Sequence, residues 1–100
     1  MRFHIPSFKP LLDEIKEYVK EKQGNKDSVC LDYEDKDKCY AMLWGYEGAS
    51  EEIITDIKVG CDTLYFKIGG EWYNIFEGGI YSYQTLLNIA YTIEDILEEE

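Results

Sequence analysis

The chain has one histidine, His4, and three cysteines, Cys30, Cys39 and Cys61. A structural zinc site takes four Cys or His ligands in closely spaced pairs. No such pairs occur, because eight residues separate even Cys30 from Cys39. Asp32, Glu34, Asp35 and Asp37 resemble a calcium-binding run but lack the loop glycine and closing glutamate of that motif. No metal and no cofactor are therefore expected. The odd, scattered cysteines argue against a secreted disulfide framework and read as buried or half-buried thiols.

Nucleophilic chemistry is equally poorly provided for. Ser7, Ser28, Ser50 and Ser82 fall in turn or cap contexts, and none sits in a Gly-x-Ser-x-Gly elbow. A Cys–His pair would have to recruit His4 from the chain end. There is no glycine-rich phosphate loop. Carboxylates number 21, but no spacing singles out two of them as an acid–base pair. The residues predict a protein that is not an enzyme.

Charge is the stronger signal. The net charge is −11, and it is unevenly spread: residues 47–100 carry twelve acidic groups against only Lys58 and Lys67. Such a surface repels phosphate, so neither nucleic acid nor an anionic membrane is an expected partner. No apolar run reaches the roughly 20 residues of a membrane span, and residues 1–6 lack a signal peptide's apolar core. The expected location is the cytoplasm, and the complementary partner is a basic protein.

The elements that would position these groups follow from periodicity. Phe8, Leu11, Leu12, Ile15, Tyr18 and Val19 form one apolar stripe of a helix over 8–23, started at Ser7 and stopped at Gly24-Asn25. Leu86, Ile89, Ala90, Ile93, Ile96 and Leu97 form another over 83–98, with Ser82 as its cap. Between them lie five apolar or alternating stretches. Val29, Leu31 and Tyr33 mark a half-buried strand. Residues 39–46 are apolar on both faces and read as a central strand. Residues 47–50 read as a loop, and 53–59 as one strand with Ile53, Ile57 and Val59 on one face and Ile54, Asp56 and Lys58 on the other.

The clearest local signal is Gly69-Gly70, a two-residue hairpin turn between strands rich in β-branched and aromatic residues. It sets Ile68 opposite Glu71, Phe66 opposite Tyr73 and Leu64 opposite Ile75. Leu64, Phe66, Ile68, Tyr73 and Ile75 then face a core, and Tyr65, Lys67, Trp72, Asn74 and Phe76 face outward. The whole predicts one α+β domain over residues 1–100, an antiparallel β-meander of about five strands in the order α-β-β-β-β-β-α. Both helices would pack on one sheet face.

Three groups stand out as partner-binding candidates. Glu51, Glu52 and Asp56 lie along one stretch. Glu94, Asp95, Glu98 and Glu99 gather with Glu100 at the negative end of the second helix, where acidic charge opposes the helix dipole. Tyr65 and Trp72 offer large, low-entropy anchors. Together they predict a non-enzymatic, acidic protein-binding module. Its most concrete form is a small inhibitor, of the type phages and mobile elements encode, whose carboxylates stand where phosphates would in the basic groove of a nucleic-acid-binding enzyme. The alternatives are a homodimer joined through the outer aromatic face, or a small enzyme whose pocket the sequence does not reveal.

Overall fold

The computed structural model describes residues 7–24, 28–31, 39–45 and 47–99, with side chains of the last helix described as far as Ile93. The first helix, α1, spans Phe8–Gln23. Ser7 holds the extended N-cap conformation, and its carbonyl accepts the Leu11 N–H at 3.2 Å, but its hydroxyl makes no cap. Gly24 closes the helix at φ 55°, a conformation that costs glycine little. The second helix, α2, spans Ser82–Glu99. Leu11, Leu12, Ile15 and Val19 of α1 are buried with Leu86, Ile89, Ala90 and Ile93 of α2 in one core.

Among the described residues six antiparallel strands lie between the helices: β1 (Val29–Cys30), β2 (Tyr40–Gly45), β3 (Gly48–Ile53), β4 (Asp56–Val59), β5 (Leu64–Ile68) and β6 (Glu71–Asn74). They form a sheet of four, ordered β1-β4-β5-β6, and a hairpin, β2-β3. The domain is α+β, with its helices flanking antiparallel strands, as composition and periodicity predict. The β5–β6 hairpin has the register expected from Gly69-Gly70: Ile68 pairs with Glu71 and Phe66 with Tyr73. Both turn glycines have positive φ, 55° and 86°. Leu64, Phe66 and Ile75 are fully buried against the helices.

Four local expectations need correction. The stretch 39–46 is not central in the larger sheet. Among the named strands β2 pairs with β3 alone, and its other edge is closed instead by α2 and the segment before it, through an isolated antiparallel bridge between Leu43 and Ile80. Trp44 N–H donates to the Gly79 carbonyl at 2.7 Å, Tyr81 N–H to the Met42 carbonyl at 2.9 Å, and Met42 N–H to the Thr85 hydroxyl at 3.0 Å. Residues 48–50 are strand, so the loop read over 47–50 is a tight turn around Glu47. β1 pairs with β4, Val29 opposite Ile57, rather than forming a hairpin with the stretch that follows it. The strand's Tyr33 lies outside the described residues.

Residues 53–59, finally, are not one uninterrupted strand: β3 ends at Ile53 and β4 begins at Asp56. Ile54 and Ile57, three residues apart, are both fully buried, while Ile53 is 37% exposed. An uninterrupted strand alternates faces and cannot do this. The irregularity is at Thr55. Its N–H donates to Lys67 of β5 at 3.0 Å, whereas its carbonyl accepts Leu31 N–H, next to β1, at 3.1 Å. Those partners are on opposite flanks, so the chain passes from one sheet to the other with its inward face shifted by one residue. Ile54 therefore belongs to the core, not to the outer face.

Candidate acidic interaction surface

β3 carries Glu51 and Glu52, and all six of its residues are exposed. The register pairs Trp44 with Ala49, Met42 with Glu51 and Tyr40 with Ile53, so these six side chains share the outer face of the hairpin. Ala41, which is fully buried, pairs with Glu52 on the inner face. Glu51 thus emerges among Trp44, Met42, Ala49 and Ile53. Trp44 is 63% exposed and stacks on Tyr81 with ring centroids 4.2 Å apart. That stack presents a fixed indole beside the carboxylate, and sequence reasoning passed over it because Trp44 sits in a stretch that reads as buried strand.

Glu52 points to a second group of carboxylates. Tyr73 of β6 donates its hydroxyl to Glu71 at 3.3 Å. The Glu71 charge beside that hydroxyl pushes the Tyr73 pKa above its ordinary value, partial desolvation adds to this, and Glu77 and Glu52 contribute in the same direction. The negative charge of Glu71, Glu77 and Glu52 thus acts on one phenol, of which Glu71 alone is a hydrogen-bond partner. Among the described residues no Lys or Arg pairs with Glu51, Glu52, Glu71 or Glu77. Glu71 and Glu77 had no signal in the sequence, since their charge meets Tyr73 only through β6 and the turn after it.

Asp56, Tyr65 and Trp72 lie elsewhere, on the outer face of the four-stranded sheet. Asp56 is opposite Lys67, Lys67 opposite Trp72, and Lys58 opposite Tyr65. The Lys58 ammonium sits 4.3 Å from the Trp72 ring centroid and 5.3 Å from that of Tyr65, and Lys67 lies 5.6 Å from Trp72. The only two cations of residues 47–100 thus converge on one tryptophan. The rings are half-buried, capped by lysines rather than by a helix. This face is mixed in charge, and distinct from the purely acidic one on β3. The side chains of Glu94, Asp95, Glu98 and Glu99 lie outside those described, though the helix that carries them runs to Glu99.

Chemistry beyond binding finds little support in the thiols. Cys39 is buried, which pushes its pKa up to about 12 against the opposing Thr92 hydroxyl, so at neutral pH it is a protonated, weak nucleophile. Among the described residues no three His, Cys, Asp or Glu side chains are grouped to hold a metal ion, and no helix is long and apolar enough to cross a membrane. No protein-family model, curated protein or solved structure matches the chain.

Proposed function

We propose that this protein is a non-enzymatic binding module of the cytoplasm that recognises a basic protein through an acidic surface centred on β3. In its most concrete form it is an inhibitor that fills the basic groove of a nucleic-acid-binding enzyme, its carboxylates standing in for phosphates. The observation that carries this reading is the wholly exposed β3, where among the described residues no cation pairs with Glu51 or Glu52 and Glu51 shares the outer face with the stacked, exposed Trp44. Carboxylates speed encounter with a basic surface, and an aromatic anchor slows departure. The Glu94–Glu99 carboxylates extend the same negative charge along the chain.

Capture of partners from lysate by the tagged protein, at about 50 mM and about 500 mM salt, tests it, because exposed charge pairs lose most of their attraction over that range. A basic nucleic-acid-binding protein held at low salt, weakened at high salt, and lost by the combined Glu51→Gln and Glu52→Gln variant supports the reading. Capture unchanged by salt and by the variant refutes it.

A second reading, homodimerisation through the outer face of the larger sheet, is favoured by one observation. Asp56, Lys58 and Lys67 surround Tyr65 and Trp72, so that face can be complementary in charge to its own copy. Molecular mass in solution distinguishes the two.

A further inference from the structure

The backbone of β3 is as informative as its side chains. In an antiparallel ladder the main-chain groups of successive residues point alternately toward and away from the partner strand. On β2 the residues that point away from β3 are identified by their bonds: Met42 and Trp44 are tied to Thr85, Tyr81 and Gly79. Their partners in the register are Glu51 and Ala49, so the N–H and C=O groups of these two residues point away from β2 as well. Among the described residues nothing pairs with β3 on that side. Among the described residues the hairpin is therefore closed on its β2 edge and open on its β3 edge.

We infer that β3 is an acceptor edge for strand addition, and that its occupant is an extended, basic segment of the partner protein. This rests on the acidic-binding reading above and specifies how that surface is used. Open main-chain groups supply register-independent affinity, and side chains alternating along the edge supply selectivity. The edge states the complement. An added strand places one side chain beside Glu51 on the outer face, flanked by two beside Ala49 and Ile53, next to Trp44. On the inner face it places neighbours beside Ser50 and Glu52. An antiparallel occupant thus reads apolar, basic, basic, polar, apolar. A second copy of this chain is the poorer occupant, since β3 against β3 gathers four carboxylates and no cation in one pair of strands. The charge that attracts a basic segment also guards the edge against self-pairing.

The test uses the whole protein and a labelled peptide, acetyl-Thr-Ile-Lys-Lys-Thr-Val-Thr-amide, read by fluorescence anisotropy at low salt. Two further peptides carry a single backbone N-methyl group. On the second lysine, which would face Glu51, the methyl replaces an N–H aimed at β3. On the first lysine, which would face Glu52, it replaces an N–H aimed away. Strand addition predicts at least a tenfold loss of affinity from the former and less than a twofold change from the latter. A glutamate-for-lysine peptide should not bind. In the protein, Ala49→Pro removes one outward N–H while keeping every carboxylate, and should weaken the unmethylated peptide to a similar degree. If that variant fails to fold, the methylated pair decides alone. Equal binding of both methylated peptides overturns strand addition and leaves charge-based binding standing. Absence of binding by the lysine peptide, with capture of a salt-sensitive basic partner intact, overturns the edge as the contact. Loss of both overturns the function from which it was drawn.

Discussion

Replacing Ile54 by alanine, and separately Ile53 by alanine, tests the shift of face at Thr55 directly. The two variants have identical composition and alter neighbouring residues. Ile54 is fully buried in the core shared by both helices, and its alanine variant leaves a cavity among well-packed side chains. Such truncations cost roughly 2–5 kcal/mol, the loss of transfer energy plus that of the cavity. Ile53 is 37% exposed on the outer face of the hairpin. Its truncation removes partial packing against Tyr40 and some strand preference, together below about 1 kcal/mol. In a domain of this size about 1 kcal/mol moves the melting temperature by roughly 4–8 °C. Ile54→Ala should therefore lower it by roughly 8–40 °C, and Ile53→Ala by less than about 8 °C. Urea unfolding followed by far-ultraviolet circular dichroism, with equal slopes for both variants, gives the free energies. Equal losses, or a larger loss at Ile53, would mean that the strand alternates without interruption and that the switch between sheets at Thr55 is wrong.

Cys39 sets an alkaline limit to stability. Its folded-state pKa is raised to about 12 from 9.0, so the unfolded chain sheds this proton first as the pH rises. The contribution is intact below about pH 9 and is lost between about pH 9 and 12; Cys39→Ala should flatten that decline in pH-dependent unfolding, and an unchanged slope would refute it. In native protein a thiol reagent should modify the exposed Cys30 and Cys61 well before Cys39. Lys58 and Trp72 should be coupled by about 0.5–1 kcal/mol in a double-mutant cycle with Lys58→Met and Trp72→Leu, the magnitude of a partly exposed cation–π contact. Additive losses would show that the ammonium merely lies near the ring.

What the sequence determined by itself was local. Helical spacing of apolar residues placed α1 over the same residues that the structure shows, because a single stripe leaves only one face to bury. Gly69-Gly70 settled the β5–β6 register, since a two-residue turn permits only one pairing. The concentration of negative charge in residues 47–100, and its two cations, needed only counting. Tertiary structure alone decided how the strands divide into two sheets. β2 and β1 both carry apolar residues that a neighbour could cover, and pattern cannot say whether that neighbour is a strand or a helix. Here α2 and residues 79–81 take one edge of β2, and among the described residues nothing takes the free edge of β3. The shift at Thr55 was equally hidden, because it arises from bonds to Leu31 and Lys67, distant in sequence and on opposite flanks. The pairing of β4, β5 and β6 likewise brings Lys58 and Lys67 to Trp72. Charge is a property of composition; which charges meet depends on how far-apart segments pack.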